Sequence, residues 1–266
     1  MSKFLCVDLA LETIATYPDL AGKLALVTGA SAGIGSATAL ALAANGARVV
    51  AVGRNAQALE ATVELIVGRG GRALAAVADC TQERELAALG DRVRRELGVP
   101  DVLVPFAGGG GMPVATAAES GSHWREVVEV NLTSTFLTVA AFLPDLLERG
   151  SGAIVTMSSA AARQAAKSSA AYAAAKAGVI AFSRHLAGEV AAAGIRVNCL
   201  APSAIETERL HQWVPEQGRR ELAAAFPLGR LGQPLDVAAA TLFLASESSS
   251  WITGVTLDLA GGRIML

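Results

Sequence analysis

Tyr172 and Lys176 stand four residues apart in the alanine-rich stretch 170–177. On a helix this spacing places both side chains on one face, about one turn apart. An ammonium group beside a phenol favours the phenolate, so the pattern predicts a Tyr172 pKa below its ordinary value near ~10. A tyrosine tuned in this way can donate or accept a proton. The pair alone is equally typical of a solvated helix, so the rest of the chain has to decide.

Ser159 precedes Tyr172 by thirteen residues and comes just after the apolar segment 153–157. A hydroxyl at the end of a strand can hydrogen-bond a reacting carbonyl oxygen. Ser159, Tyr172 and Lys176 together therefore indicate proton transfer at a carbonyl or alcohol group.

The composition fits one large domain with a sizeable core, since 52% of the 266 residues are hydrophobic and 17% are charged. The net charge of -2 argues against a nucleic-acid partner. The cysteines and histidines are scattered: Cys6, Cys80, Cys199, His123, His185 and His211. This spacing predicts neither a disulfide framework nor a metal site, and it favours a reducing, cytoplasmic location.

The first twenty residues predict an N-terminal extension, residues 1–20, that packs on a single domain formed by residues 21–266. A single base, Lys3, with Asp8 and Glu12 inside the apolar stretch is not typical of a secretory signal. No apolar run is expected to reach the ~18 residues of a membrane span, so no membrane partner is predicted.

A glycine-rich turn follows the apolar segment 23–27 and opens an alanine-rich helical stretch that reaches about residue 45. Gly29 permits a tight turn, Gly33 lets the backbone approach a pyrophosphate, and Gly35 lets the helix pack closely on the strand. The helix N-terminus would then face the phosphates. The order strand, glycine turn, helix predicts a dinucleotide site.

The same residues also match the Gly-x-Ser-x-Gly nucleophile elbow of α/β-hydrolases, with Ser31 as the nucleophile. That elbow normally follows several strands, and a histidine normally comes late in the chain. Only about two dozen residues precede this turn, and no histidine follows His211. The sequence therefore disfavours the hydrolase.

Apolar segments and helical segments alternate along the chain. Strands are predicted at 23–27, 47–52, 72–78, 101–106, 153–157, 195–200 and 255–259. Helices are predicted from the glycine turn to 45, up to 68, and at 82–97, 122–149, around Tyr172 and at 234–245, while 202–227 is irregular and helical. This alternation predicts an α/β fold: a single-domain Rossmann fold with a doubly wound parallel sheet of about seven strands and helices on both faces.

The chain resembles the classical short-chain dehydrogenases/reductases from residue 20 to residue 262. The motifs that support the resemblance are the glycine turn 28–35, Asp79, Ala107-Gly108, Asn131, Ser159, Tyr172-x-x-x-Lys176, Arg196-Val197-Asn198, Pro202 with Thr207, and Thr253-Gly254 before Gly261-Gly262. Segments 227–230 and 243–246 are similar to those of the 3-oxoacyl-carrier-protein reductases within that family.

The resemblance implies an oxidoreductase that interconverts a carbonyl (ketone or 3-oxo ester or thioester) and a secondary alcohol. Tyr172 would be the general acid, Lys176 would lower its pKa and hold the nicotinamide ribose, and Ser159 would polarise the carbonyl. Asn131 would hold a water that links Lys176 to solvent.

The resemblance also implies a nicotinamide cofactor, with Asp79 at the adenine amine and Thr207 at the nicotinamide amide. The implied cofactor-binding residues are Gly29, Ser31, Gly33, Ile34, Gly35, Arg54, Asp79, Ala107, Gly108, Tyr172, Lys176, Pro202 and Thr207. Gly53 stands where an NAD-selective member would place an acid, and Arg54 follows it. A guanidinium can hold a 2′-phosphate, so NADP(H) is expected to be preferred, with NAD(H) as a possible second cofactor.

Two departures from the family pattern stand out. Pro105-Phe106 replaces the usual Asn-Asn, so the local packing must differ, and the run Gly108 to Gly111 is expected to widen the pocket on that side. Pro202-Ser203 replaces the usual Pro-Gly.

The expected substrate is a free, largely apolar small ketone or β-keto ester, under an apolar lid that contains Leu210, Trp213 and Val214. No pair of arginines marks a carboxylate clamp, and Arg149 is the single candidate contact for an acidic carrier protein. The alternatives are a 3-oxoacyl-carrier-protein reductase and, from another class, a non-catalytic dinucleotide-binding sensor. Apolar residues on several sides of helix 122–149 predict a homotetramer.

Overall fold

The fold was analysed in a computed structural model, which describes residues 14–109 and 111–265. Most of the predicted N-terminal extension, with Cys6, lies outside the described residues. Its last residues contact the domain: the Tyr17 amide donates to Asn45 Oδ1 at 2.7 Å, and Asp19 accepts a hydrogen bond from the Glu247 amide at 2.8 Å. Leu20 is buried in the core. The domain boundary after residue 20 stays a prediction.

Seven parallel strands form one sheet in the order β3-β2-β1-β4-β5-β6-β7, which confirms the predicted doubly wound α/β fold. The strands are β1 Leu24–Thr28, β2 Arg48–Gly53, β3 Arg72–Val77, β4 Val102–Pro105, β5 Gly152–Met157, β6 Ile195–Pro202 and β7 Thr256–Leu259. Each lies within two residues of its predicted bounds. Strands that are buried on both faces read as short apolar runs, and this is why the sequence located them.

Nine α-helices connect these strands in the described part of the chain. They are α1 Gly33–Ala44, α2 Ala56–Gly68, α3 Glu83–Glu96, α4 Gly121–Val128, α5 Ser134–Arg149, α6 Ala170–Val190, α7 Glu208–Trp213, α8 Glu216–Ala224 and α9 Pro234–Ala245.

The core has two layers, one on each face of the sheet. Along β1, Ala25 and Val27 point to the layer that α1, α2 and α9 cover, whereas Leu24 and Leu26 point to the layer under α3, α5 and α6. This alternation follows from the two-residue period of a strand. Helices on both faces cover the sheet, as a parallel sheet requires.

The strand order changes direction at β1, which pairs with β2 on one side and with β4 on the other. The connections from these two strands leave toward opposite sides, so a crevice opens at their carboxyl ends. Thr28, the last residue of β1, holds the crevice together because its hydroxyl accepts a hydrogen bond from the Ala107 amide at 2.9 Å. A ligand site is therefore expected at this edge of the sheet.

The predicted helix 122–149 is interrupted by a π-helical turn, Glu129–Thr133, between α4 and α5. Asn131 lies at its centre and is fully buried. By length and composition alone, the helical segment Gly121–Arg149, taken through this π-helical turn, is apolar enough to cross a membrane, so the expectation that no apolar run reaches that length is wrong. In the fold the segment contacts α6 and β4, and 39% of its apolar window is buried.

Pro105 is the last residue of β4 and Phe106 follows it; the expectation that they alter the local packing stays a prediction. The register of β4 against β5 covers only Val102 and Leu103, while its pairing with β1 continues to Pro105. The Phe106 ring is buried in the layer beside α1. The chain after β4 is thus anchored by a buried aromatic side chain.

Candidate active site

A cavity of about 450 Å³ lies at the carboxyl ends of the strands. It extends from Arg54 and Asp79 at one end, past the glycine turn, to Ser159 and Tyr172 at the other. Of the predicted site residues, all except Asn131 line it: Gly29, Ser31, Gly33, Ile34, Gly35, Arg54, Asp79, Ala107, Gly108, Ser159, Tyr172, Lys176, Pro202 and Thr207. The fold therefore brings the separate sequence motifs into one site.

The glycine turn has no room for side chains where the prediction requires close approach. A Cβ on Gly35 would lie 2.1 Å from the Gly29 carbonyl oxygen, so α1 packs against the turn at backbone contact. Gly29 has a positive φ of 68°, and a Cβ there would lie 2.8 Å from the Phe106 oxygen. Because α1 begins at Gly33, its first amides face the cavity, and this arrangement suits a pyrophosphate.

Arg54 and Asp79 form the far end of the cavity, where the adenosine of a dinucleotide would lie. Arg54 Nη1 is 3.8 Å from Asp79 Oδ2, and the Arg54 side chain is 70% exposed. Burial raises the pKa of Asp79, but hydrogen bonds from Thr81 and the charge of Arg54 outweigh it and lower the pKa below its ordinary value. This end thus combines an ionised acceptor with a guanidinium that is open to solvent.

Lys176 is buried at the other end, and 5% of its surface is exposed. Its Nζ donates to the Met157 carbonyl oxygen at 3.0 Å. Burial lowers the pKa of Lys176 from 10.5 to about 8, because the charged form loses hydration. A Cβ on Gly108 would lie 3.3 Å from Nζ, so that glycine permits the cavity wall to approach the lysine.

The expected lowering of the Tyr172 pKa is wrong for this structure. Burial raises the pKa of Tyr172, while a hydrogen bond with Ser159 and the charge of Arg209 lower it to a smaller extent. Lys176 does lie beside the phenol, with Nζ 5.8 Å from the ring centroid. The four-residue spacing gave the right neighbour, but desolvation of the buried phenol has the larger effect.

Ser159, and not the neighbouring Ser158, faces Tyr172. Ser159 Oγ lines the cavity and accepts a hydrogen bond from the Ala161 amide at 3.2 Å. Ser158 is buried, and its hydroxyl donates to the Lys176 carbonyl oxygen at 2.7 Å. Both serines line the cavity, but Ser159 is the one that hydrogen-bonds Tyr172, whereas the Ser158 hydroxyl attaches α6 to the sheet.

Asn131 lies behind the cavity wall and holds the main chain of Gly109. Its Oδ1 accepts from the Gly109 amide at 2.9 Å, and its Nδ2 donates to the Gly109 oxygen at 2.7 Å and to the Val127 oxygen at 2.9 Å. These bonds fix the strand-to-helix connection beside Lys176. The predicted role of Asn131 in holding a water stays a prediction.

The N-terminus of α6, which positions Tyr172, is held by two side chains. Ser169 Oγ accepts from the Tyr172 amide at 3.2 Å. Glu119, whose side chain is buried, accepts from the Ala171 amide at 3.3 Å and pairs with His123 Nδ1 at 3.1 Å. A carboxylate at a helix N-terminus is stabilising, so these contacts help to fix the phenol in the cavity.

The stretch 203–226 forms α7 and α8, and α7 covers the cavity as the predicted lid does. Leu210 and Trp213 line the cavity, whereas Val214 is not among the lining residues. The Thr207 methyl carbon lies 3.3 Å from the position of a Cβ on Gly33, so the start of the lid rests on the glycine turn.

Arg209 also lines the cavity, and sequence reasoning missed it. It lies in the first turn of α7, two residues after Thr207. No signal in the sequence identifies it, because residues 202–227 are predicted only as irregular and helical and the start of α7 is not located.

Within residues 14–109 and 111–265, no cluster of three or more histidine, cysteine or acidic side chains could hold a metal ion. Cys80 lines the cavity near Asp79, and burial raises the pKa of its thiol to about 11.

Comparison with known proteins agrees with this geometry. A family model described as enoyl-(acyl carrier protein) reductase matches residues 29–263. The 7α-hydroxysteroid dehydrogenase of Escherichia coli K12 is 38% identical over 250 residues, which cover 92% of this chain and 95% of the relative.

Two solved structures of similar fold hold nicotinamide cofactors. The 3-oxoacyl-[acyl-carrier protein] reductase of Brucella melitensis with bound NAD is 36% identical, covers 94% of each chain and has a TM-score of 0.87. A protein named as an NAD(P)-dependent gluconate 5-dehydrogenase from Beutenbergia cavernae, with NADP bound at low occupancy, is also 36% identical with a TM-score of 0.87. It covers 92% of this chain and 98% of its own.

Proposed function

The chain belongs to the short-chain dehydrogenase/reductase family and is an oxidoreductase that acts on CH–OH groups with a nicotinamide dinucleotide; we propose that it prefers NADP(H) and reduces a small carbonyl compound. One observation supports the chemistry best. Ser159, Tyr172 and Lys176 line the same cavity as the glycine turn, so a proton donor and a dinucleotide cradle share one space.

The bound cofactor supplies or accepts a hydride, and the protein supplies position and charge. Ser159 donates a hydrogen bond to the carbonyl oxygen and orients it, and Tyr172 gives its proton to the same oxygen during reduction. The raised pKa of Tyr172 keeps the phenol protonated before the reaction. Lys176 and Arg209 place positive charge nearby, which favours the phenolate that the proton transfer leaves.

Tyr172→Phe tests the assigned acid because it removes the proton and keeps the ring. We expect the turnover of a reducible carbonyl compound to fall by at least ~10²-fold, in the range of general acid catalysis. NADPH should still bind, as measured by fluorescence titration. The matched control is Tyr17→Phe, which makes the same change outside the cavity and should leave turnover unaltered. Turnover near the wild-type value in Tyr172→Phe would reject the role.

A non-catalytic dinucleotide sensor is the alternative from another class. Such proteins usually lack the tyrosine or the lysine, and here both are present with Ser159 at the cavity. The Tyr172→Phe comparison also separates the two functions, since a sensor would show no turnover for the substitution to reduce.

The preference for NADP(H) is proposed from the adenosine end. No acid stands at Gly53, and a Cβ there would lie 3.5 Å from Ser31 Oγ, so the serine hydroxyl lies next to Gly53. Arg54 comes directly after Gly53 and also lines the cavity, and its guanidinium can make charge-assisted hydrogen bonds to a 2′-phosphate. Its 3.8 Å pairing with Asp79 is weak enough at this exposure for a phosphate to replace it.

Arg54→Ala tests the preference. Removing the guanidinium should weaken NADPH binding at least ~10-fold while NADH binding changes little, because NADH lacks the 2′-phosphate. Dissociation constants of both cofactors give the answer. Arg69→Ala removes the same charge from the exposed end of α2 and serves as the control. Equal weakening of both cofactors would mean that Arg54 only stacks on the adenine.

The substrate is proposed to be a free small molecule and not a chain on a carrier protein. Docking an acidic carrier needs basic groups beside the cavity. Arg149, the single candidate for that contact, is used elsewhere: its guanidinium donates to the Val99 and Pro100 oxygens and lies 3.4 Å from Asp101. These contacts lie at the amino-terminal edge of β4, opposite to the cavity.

A direct comparison tests this. We expect the kcat/KM of a carrier-bound 3-oxoacyl chain to exceed that of its small thioester or ester analogue by less than ~100-fold, since Arg149, the predicted carrier contact, lies away from the cavity. Both are assayed with NADPH at one enzyme concentration. A ratio above ~100-fold, which corresponds to more than about 2.7 kcal/mol of transition-state binding, would establish carrier recognition.

A homotetramer is proposed from apolar side chains that the single chain leaves exposed. Phe136 and Leu147 on α5 and Leu257 on β7 are 50%, 43% and 38% exposed, so a helix face and the edge strand both offer apolar surface. Burying such surface against other copies is favourable. Light scattering at micromolar concentration should give the mass of four chains, and a monomer would contradict the assembly. The cytoplasmic location stays a prediction.

A further inference from the structure

The Arg209 side chain crosses the cavity from the lid to the opposite wall. Its Nη1 lies 3.4 Å from the Gly108 carbonyl oxygen, a long hydrogen bond. A Cβ on Gly109 would lie only 1.9 Å from that nitrogen, so the guanidinium occupies the space that a side chain would take. The Arg209 guanidinium therefore joins the lid to the chain at Gly108 and Gly109.

Arg209 has hydrogen-bonding capacity to spare. In the described part of the chain no carboxylate forms an ion pair with it, and Glu206, three residues earlier, pairs with His211 and Arg219 instead. Trp213 flanks the guanidinium, with 5.8 Å between its carbon and the ring centroid. A cation held against an aromatic ring keeps its in-plane N–H groups free for a planar anion.

The position of this cation points to the substrate more than to the cofactor. The phosphate cradle is the glycine turn, and Thr207 already rests on it at Gly33. Arg209 lies beyond Thr207, on the side of the reacting phenol, and its charge acts on Tyr172. Glu208, the residue before Arg209, also lines the cavity.

We propose that Arg209 is a specificity-determining residue that binds a carboxylate of the substrate close to the reacting carbonyl. This inference rests on the proposed function, since it presumes that a carbonyl is reduced between Ser159 and Tyr172. The substrate class is then a short oxo acid, with the corresponding hydroxy acid as product. Leu210 and Trp213 receive its apolar body, and the single guanidinium replaces the arginine pair that the sequence lacks.

Matched pairs of a 3-oxo carboxylate and its methyl ester, at several chain lengths, test the proposal with NADPH. We expect Arg209→Gln to lower the kcat/KM ratio of acid to ester by ~10- to 100-fold, as for a lost hydrogen-bonded charge pair. Arg209→Lys should keep part of the ratio. Arg220→Gln, which removes a surface cation of α8, should leave the ratio unchanged. Any effect of the Arg209 charge on Tyr172 cancels, because both substrates share it.

Cofactor affinity separates the two sources of negative charge. Fluorescence titration should give the same NADPH dissociation constant for Arg209→Gln and for the wild type. A weaker NADPH complex with an unchanged acid-to-ester ratio would assign Arg209 to the cofactor phosphates and overturn the proposal. An unchanged ratio with unchanged NADPH binding would overturn it as well.

Carboxylate binding can also be measured without turnover. Titration of the enzyme–NADP⁺ complex with the hydroxy acid should quench tryptophan fluorescence in the wild type, since Trp213 flanks Arg209, and should do so at least ~10-fold more weakly in Arg209→Gln. If the wild type reduces neither member of any pair, the proposed function fails, and this titration still decides the role of Arg209. Equal binding by both proteins would reject it.

Discussion

The backbone contact between Gly29 and Gly35 is the constraint on which the site depends. With a Cβ position only 2.1 Å from the Gly29 oxygen, no other residue at 35 could let α1 begin so close to the end of β1. This fixes the first amides of α1 at the switch point of the sheet, where phosphates can reach them. The other walls are then placed relative to this turn: Thr28 holds Ala107 on one side, and Thr207 rests on Gly33 on the other.

The burial of Lys176 shows what the site costs the fold. An ammonium group taken out of water is unfavourable unless it is paired, and in the described residues Nζ has one hydrogen bond, to the Met157 oxygen. The lowered pKa expresses this cost. A lysine kept in such a place is typical of a functional site, where stability is given up for chemistry. The Ser158 hydroxyl anchors the Lys176 main chain to the sheet and so holds the side chain at this buried position.

The sequence predicts the fold and most of the site because both depend on local sequence patterns. Apolar runs mark strands that are buried on both faces, and glycine spacing marks the turn that only glycine can form. The π-helical turn at Asn131 could not be predicted, since the apolar pattern of residues 122–149 is that of one continuous helix. The direction of the Tyr172 pKa was missed because spacing gives a neighbour but not the depth of burial. Arg209 was missed because only the folded lid brings it to the cavity.

Two features of this chain that look independent in the sequence explain each other in the fold. The glycine run after β4 was expected to widen the cavity, yet its space is filled: Arg209 occupies the place of a Cβ at Gly109, and the Tyr172 ring lies 3.0 Å from that of Gly111. A side chain at Gly109 would displace the guanidinium, and one at Gly111 would press on the phenol. The small residues on one wall and the cation on the facing lid are therefore two halves of one contact, and a change in either alters the charge that surrounds the reacting oxygen.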